Sequence, residues 1–462
     1  MNSLNSMPPP TFHIATFGCQ MNKLDSELLG ADLQRRGLQP VDEPGRADVL
    51  IVNTCSVRHH AEEKVYSWTG RFKPRAGQPR RIVGIVGCMG RNHREAVFER
   101  LPFVDFVSGP ASLHRVGETV EHLLAGGAAD EPAPTAPPPE RVLLEAEGAA
   151  AAWLPRQVTR RPDPFRAFVA VNRGCNNFCA YCIVPYTRGR EISRPMDDIV
   201  EEVRRLVDDG VLEVTLLGQN VNSWGRDFDT PRRFGDLVAR LDRIKGLARL
   251  RFVTSHPKDL ADDLIDAMAD CPTVCENLHL PPQSGSNRIL DAMNRKYTRE
   301  HYLERIARLK ESVPGITLAG DFIVGFPGET EADYLATREL IGRVRYKTAF
   351  VFKYSPREGT AAARLPDDVP VGEKKRRNRD LLELQESIAA EDNARLIGSR
   401  EEILVEGPSK RFDRYVGRTR TDRIVHIPGD DTLTGRLVGV RLLENSPLSF
   451  VGEATDAGQA TA

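Results

Sequence analysis

Val171-Asn172-Arg173-Gly174-Cys175-Asn176-Asn177-Phe178-Cys179-Ala180-Tyr181-Cys182 closes a short apolar run, 167–172, with three cysteines at C-x-x-x-C-x-x-C spacing. The run reads as a strand and the cysteines as the loop at its C-terminal end. Three thiolates on one short loop suit a four-iron, four-sulfur cluster, which takes Cys ligands on its corners. Four cysteines would complete that ligation. Three leave one iron open, as catalytic metals keep one position open. A structural zinc would want a fourth Cys or His close by, and none follows the loop.

Outward from this loop the strand–helix alternation continues to about residue 354. The strand candidates are 167–172, 213–217, 249–254, 277–280, 317–324 and 349–354. Helical stretches separate them, such as 196–209, stopped by Gly210, and 298–312, stopped before Pro314. Six βα units predict an α/β fold, a partial (βα)6 barrel related to the eight-fold one. Each strand runs into a polar or glycine-bearing turn: Gly218-Gln219-Asn220, Ser255-His256-Pro257, Gln283-Ser284-Gly285-Ser286, Gly325-Phe326-Pro327-Gly328-Glu329 and Ser355-Pro356-Arg357. In barrels the C-terminal strand ends carry the active site. Singly these are turns; together they converge on the face that carries Cys175.

Upstream, residues 11–124 repeat the alternation on a smaller scale. Runs 12–17, 48–53 and 81–86 read as strands, with helices at 22–36 and 57–72, predicting a doubly wound α/β domain with a parallel sheet. Each of the three strands ends in a cysteine: Cys19, Cys55 and Cys88. Ligands of an open parallel sheet bind beyond the carboxyl ends of its strands. Buried structural thiols are the ordinary fate of cysteine, but three equivalent strand ends argue for a shared ligand. Between the domains, 125–160 is rich in Pro, Ala and Gly and reads as a linker. The barrel domain spans 161–393 and ends in a charged helix, 374–395. Residues 394–457 hold short strand-like runs at 402–405, 414–418, 423–427 and 436–442, which predict a small all-β barrel. Cys271 and Cys275 form a second C-x-x-x-C without a third partner and read as structural.

Composition narrows the class. Lys+Arg 64 against Asp+Glu 65 in 462 residues gives a formal net charge of −1, so any nucleic-acid contact rests on local patches. The start of the chain lacks the features of a signal peptide, and no apolar run reaches 18 residues. Eight cysteines in such a chain favour thiols or metal ligands over disulfides. The expected location is cytoplasmic and the expected state a monomer.

The triplet Cys175, Cys179, Cys182 resembles that of the radical S-adenosylmethionine superfamily, in which the open iron chelates the methionine part of S-adenosylmethionine. With the three-Cys α/β domain and the C-terminal β-barrel, the chain resembles the methylthiotransferases. Gly18-Cys19-Gln20-Met21-Asn22, Asn53-Thr54-Cys55-Ser56-Val57-Arg58 and Leu217-Gly218-Gln219-Asn220-Val221-Asn222-Ser223 are similar to the branch acting on tRNA that carries N6-dimethylallyladenosine beside the anticodon. The resemblance implies two [4Fe-4S] clusters, on Cys19/Cys55/Cys88 and on Cys175/Cys179/Cys182, with S-adenosylmethionine as cofactor. It implies transfer of a methylthio group to adenine C2 by a radical route, and an electron donor such as a flavodoxin or ferredoxin. Neither residues nor resemblance names the sulfur donor. Gln219, Gln283 and Asp321, at favourable strand ends, are the candidates for S-adenosylmethionine contacts.

The C-terminal segment resembles the TRAM domain, an OB-like barrel of RNA-modifying proteins. Barrels of this type bind single strands through basic and aromatic residues. Lys410, Arg411, Arg414 and Arg418 are the candidates, followed by Phe412, Tyr415, Arg420 and Arg423. Arg188, Arg190 and Arg194, just after the cysteine loop, are placed to steer phosphates. The run Lys374-Lys375-Arg376-Arg377-Asn378-Arg379 reads as an RNA contact or as a solvated helical face. Rival readings are a methylthiotransferase for threonylcarbamoyladenosine in tRNA or for a ribosomal-protein aspartate, an electron carrier, and an RNA-binding module with structural metal.

Overall fold

A computed structural model describes residues 8–56, 59–75, 77, 80–126, 141–144, 153, 161, 163–410 and 412–455. The chain forms two compact units: Met1–Pro162 with Arg173–Asn176 and Cys182–Ile192, and Asp163–Asn172 with Asn177–Tyr181 and Ser193–Ala462.

The first unit is built on a parallel sheet. Its strands are β1 (Thr11–Phe17), β2 (Gln39–Pro40), β3 (Val49–Thr54), β4 (Ile82–Gly87), β5 (Phe106–Ser108) and β6 (Val142–Leu143), in the order β2-β1-β3-β4-β5-β6. Central strands β3 and β4 are buried throughout, as expected where helices cover both faces. Alternation along β3 divides the core. Val49 and Ile51 pack with Leu29 and Leu33 of helix Gln20–Arg35 and with Val116 and Val120. Leu50 and Val52 pack with Val65, Tyr66 and Val97 on the other side. Full burial of each such side chain contributes about 1.5–3 kcal/mol. The doubly wound expectation holds. Of the stretch read as linker, Arg141–Leu144 is described and places β6 beside β5; most of the remainder lies outside the described residues.

In the second unit β7 (Arg166–Ala170), β10 (Glu213–Leu217) and β11 (Arg249–Phe252) form one parallel set, and β12 (Asn277–His279), β13 (Thr317–Val324) and β14 (Thr348–Lys353) another. The short strands β8 (Asn172–Arg173) and β9 (Ile192–Ser193) pair on either side of the cysteine loop. Leu250 joins the two sets by accepting from Cys275 N–H at 3.0 Å and donating to the Thr273 carbonyl at 2.7 Å. Six parallel strands therefore follow one another in chain order, as a partial barrel requires.

The closed barrel β15 (Arg400–Pro408), β16 (Tyr415–Thr419), β17 (Ile424–Ile427), β19 (Ser449–Ala454) and β18 (Leu437–Asn445) completes this unit. Four strands were expected. The fifth, β19, pairs parallel to β17, which no hairpin signal announces. The barrel seats on the N-terminal ends of the six-stranded array. Arg249 donates to the Arg418 and Glu402 carbonyls at 2.7 and 3.0 Å, and Arg251 to those of Arg420 and Thr419 at 2.9 and 2.8 Å. Thr317 Oγ1 donates to the Thr421 carbonyl at 3.0 Å, and Lys347 pairs with Asp422 at 2.6 Å. No described helix is long and apolar enough to cross a membrane.

Candidate metal centres and cofactor site

Parallel register carries three cysteines to one sheet edge. Phe17 pairs with Thr54, and Thr54 with Gly87, so Cys55 and Cys88 follow adjacent positions and Cys19 follows on the third strand. Neighbouring strands stand about 4.8 Å apart, which brings these ends into one neighbourhood. Gly87, at φ +93°, makes the turn before Cys88; a Cβ there would meet Asn53 Oδ1 at 2.4 Å and the Thr54 carbonyl at 2.6 Å. Buried amides lock the edge. Asn22 Nδ2 donates to Asn53 Oδ1 at 2.9 Å, Asn53 Nδ2 to the Asn22 carbonyl at 2.9 Å, and Cys19 Sγ lies 3.2 Å from Asn22 Oδ1. Beside Cys55, Ser56 donates to Glu62 and accepts from Asn92 Nδ2 at 3.0 Å. Cys55 and Cys88 are buried and Cys19 is exposed. A buried edge with one open side and three cysteines outside any disulfide fits a cluster that exchanges a group with substrate.

In the same unit, Arg188 pairs with Asp25 at 2.8 Å, both largely buried. Burial pushes the Asp25 carboxyl up and Arg188 opposes it. Burial works against the Arg188 charge, and the neighbouring Cys88, Asp25 and Cys19 outweigh it, holding the guanidinium protonated. This corrects the phosphate-steering expectation for Arg188. Arg194 is committed too, to the Ala170 carbonyl at 2.9 Å and to Glu202 at 2.6 Å. Arg190 is exposed.

The C-x-x-x-C-x-x-C loop is held at several points. Gly174, at φ +73°, turns the chain where a Cβ would stand 1.9 Å from the Arg190 carbonyl. Cys175 N–H donates to the Gly189 carbonyl at 3.1 Å. Around Cys179, Ala180 N–H donates to the Met293 carbonyl at 2.9 Å, and Arg295 Nη1 lies 3.3 Å from the sulfur. Among the described residues no three Cys, His, Asp or Glu side chains converge on a single-ion site. A four-iron cluster instead binds each thiolate through a different iron.

Among the described residues, several buried polar atoms without hydrogen-bond partners lie at the C-terminal strand ends of the second unit. They are Asn172 Oδ1, Gln219 Oε1, Asn220 Oδ1, Ser255 Oγ, His256 Nε2, Glu329 Oε1 and the Tyr354 hydroxyl. Such buried atoms are rare unless something absent from the chain completes them. Donors and acceptors here match the amino, carboxylate, ribose and base groups of an adenosyl cofactor. Around them Asn220 Nδ2 donates to Asp259 at 2.7 Å, and Asn222 exchanges bonds with the His256 backbone at 3.0 and 2.9 Å. Burial, then the charges of Arg295 and Lys258, hold His256 well below the usual histidine range, so its ring is neutral.

Of the three cofactor candidates, Gln219 stands at the β10 end with its Oε1 unpaired. Gln283, at φ +72°, is stitched to β13 by its N–H to the Asp321 carbonyl and by its own carbonyl to Ile323 N–H, both at 2.9 Å. Asp321 lies inside β13 and not at its end, with its carboxylate 3.5 Å from His279 Nε2. Gln283 and Asp321 are thus brought together by backbone pairing. Arg295 and His256 were not singled out as site residues. The polar turns were visible, but nothing along the chain links them to the cysteine loop.

The barrel candidates divide. Arg418 pairs with Glu406 at 3.0 Å and Asp422 at 2.9 Å. Arg420 pairs with Glu276 at 2.7 Å, and Arg423 Nη1 donates to Thr421 at 2.8 Å. Lys410 is exposed, Arg414 half-buried, and Phe412 exposed with its edge against His426. Arg411 lies outside the described residues. In the basic run, Lys374 pairs with Asp367, Arg376 with Glu331 and Glu373, and buried Arg377 with Glu329 at 2.7 Å, leaving an ion-paired helical face. Cys271 and Cys275 are buried, and burial pushes both thiols up to about 11.

These features define a radical S-adenosylmethionine enzyme, and the model for the Radical SAM superfamily matches residues 169–341. Residues 11–109 match the uncharacterized protein family UPF0004. The solved radical S-adenosylmethionine methyltransferase TsrM from Kitasatospora setae, with cobalamin and a [4Fe-4S] cluster bound, shares the fold. Its TM-score is 0.55 at 14% identity, over 77% of this chain and 74% of that one. The tRNA-2-methylthio-N(6)-dimethylallyladenosine synthase of Moorella thermoacetica is 46% identical over 96% of this chain and 98% of its own. That of Carboxydothermus hydrogenoformans is 44% identical over 96% and 99%. The chain belongs to the tRNA-2-methylthio-N(6)-dimethylallyladenosine synthase family.

Proposed function

We infer that the protein is a radical S-adenosylmethionine methylthiotransferase. It converts N6-dimethylallyladenosine at position 37 of tRNA into its 2-methylthio derivative. The observation that carries this is 44–46% identity over 96% of the chain with synthases of that name. Cys19, Cys55 and Cys88 are assigned to one [4Fe-4S] cluster and Cys175, Cys179 and Cys182 to the other. Bound there, the clusters and S-adenosylmethionine would supply the methylthio group and radical chemistry for an aromatic C–H that has no useful acid–base route.

The chain's own residues bind, orient and shield. The Asn22–Asn53 pair holds the Cys19 and Cys55 turns against each other. Gln219, Gln283 and Asp321 are assigned to the adenosyl cofactor, supported for Gln219 by its unpaired buried carbonyl. Neutral His256 offers that cofactor a ring nitrogen without adding charge. Lys410 and Arg414, flanking Phe412, are assigned to the tRNA backbone, with Phe412 as a stacking platform. The enzyme is further assigned to the cytoplasm, as a monomer, with a flavodoxin or ferredoxin as electron donor.

The test is anaerobic reconstitution with iron and sulfide, comparing the native chain with a Cys175→Ala, Cys179→Ala, Cys182→Ala variant. About eight irons should fall to about four. With S-adenosylmethionine, reductant and dimethylallyladenosine-bearing tRNA, only the native chain should yield the 2-methylthio nucleoside. Four irons in the native chain and none in the variant would refute the assignment of Cys19, Cys55 and Cys88. Two clusters with unmodified tRNA would refute the substrate.

A further inference from the structure

Cys179 is gripped by a segment more than a hundred residues further along the chain. Helix Asn287–Ala292 runs into Met293, after which Asn294 and Lys296 both take left-handed backbone, at φ 59° and 61°. Non-glycine residues adopt that conformation at a cost, met only where surroundings demand it. Here the demand is visible. Ala180 N–H donates to the Met293 carbonyl at 2.9 Å, and Asn294 Nδ2 donates to the Phe178 carbonyl at 2.9 Å.

Between the two strained residues stands Arg295, 3% exposed. Its Nη2 donates to the Pro281 carbonyl at 2.7 Å. Its Nη1 lies 3.3 Å from Cys179 Sγ and 3.4 Å from the Tyr181 hydroxyl. Nε has no partner. Among the described residues no carboxylate pairs with this guanidinium, and the ring of Tyr297, 5.4 Å away, gives only partial compensation. Arginine stays protonated in proteins. A buried cation without a counter-charge is strongly unfavourable. A group within its reach that can supply negative charge is the Cys179 sulfur, as a thiolate.

We propose that Arg295 is a positioning residue that raises the reduction potential of the cluster on Cys175, Cys179 and Cys182. It acts through its charged N–H···S contact with Cys179. The proposal rests on the assignment of that cluster above. Reduction adds one electron, and so one negative charge, to a centre already made negative by thiolate and sulfide. Hydrogen bonds and positive charge at the sulfurs favour that reduced state, and partners of first-layer ligands are the usual means of such tuning. Tyr181 and the Pro281 carbonyl fix the fork, so the contact does not depend on a flexible surface side chain.

The experiment uses the full chain with Cys19, Cys55 and Cys88 changed to Ala, so that one cluster is read. Arg295→Gln and Arg295→Lys are made in it. Iron is counted, and the cluster is titrated by electron paramagnetic resonance without S-adenosylmethionine, which removes any contribution from cofactor binding. About four irons should remain in all three chains. At fixed potential the reduced-to-oxidised ratio of Arg295→Gln should fall about tenfold, equal to 59 mV for one electron. Arg295→Lys, which keeps the charge, should recover most of it. A loaded Arg295→Gln that titrates like its parent overturns the proposal. So does loss of iron from both variants, which would make Arg295 a support for the loop alone. Absence of iron from the parent would instead remove the underlying cluster assignment.

Discussion

Replacing Arg249 with Met should loosen the C-terminal barrel from the six-stranded array while sparing the cysteine loop. The side chain is almost wholly buried and makes three bonds: to the Arg418 carbonyl at 2.7 Å, the Glu402 carbonyl at 3.0 Å and Glu402 Oε1 at 2.9 Å. Methionine keeps the packing of the stem and removes every donor. The Glu402 carboxylate is 48% exposed and returns to water at little cost. The two backbone carbonyls do not. Each buried acceptor left unsatisfied costs about 1–3 kcal/mol, so the docking should weaken by about 3 kcal/mol. Read as local opening, that is about a hundred-fold loss of protection, since 1.4 kcal/mol is tenfold. Hydrogen exchange followed by mass spectrometry is the assay, applied to peptides covering 400–423. Protection should fall there and stay level across 175–182. A change of less than threefold at 400–423 would refute the reasoning, because Arg251, Lys347 and Arg420 would then hold the barrel unaided. If the barrel presents tRNA, the same variant should bind tRNA more weakly and cleave S-adenosylmethionine at the native rate.

His256 supplies a pH dependence. Its folded-state value lies below the ordinary histidine value, so the unfolded chain binds the extra proton first. Its stabilising contribution is complete above the ordinary value of about 6.5 and is lost as pH falls below it, by about 1.4 kcal/mol per pH unit. Native protein should therefore lose stability between pH 6.5 and 5 faster than His256→Gln, measured by urea unfolding of the chain without its clusters. Parallel curves would remove the claim. Cys271 and Cys275, with thiols pushed up to about 11, should resist alkylation at neutral pH in the cluster-free chain, whereas exposed Cys19 reacts. Peptide mapping after brief iodoacetamide treatment reads this directly, and equal labelling of all three would show the burial argument to be mistaken.

What the sequence by itself determined are the features whose causes are local or periodic. Strand–helix alternation, with apolar runs of strand length and helices stopped by Gly210 and before Pro314, set the α/β class and all six strands of the partial barrel. The triplet Cys175, Cys179, Cys182 was legible because eight consecutive residues carry it. Cys19, Cys55 and Cys88 were legible for a subtler reason. A parallel sheet aligns the ends of its strands, so a cysteine closing each strand is a periodic signal despite the distance along the chain. Tertiary structure alone decided what depends on partners far apart. Whether an arginine meets a phosphate or a carboxylate is not written in its neighbours: Arg188 meets Asp25, 163 residues away. β19 was missed because a parallel partner needs no hairpin turn, and β6 because a two-residue strand has no periodicity. Arg295 reaches Cys179 from 116 residues away, on a bend held by two left-handed residues that no propensity favours. Packing brings such groups together, and a charge or an orphaned polar atom acquires its chemistry only from what packing sets beside it.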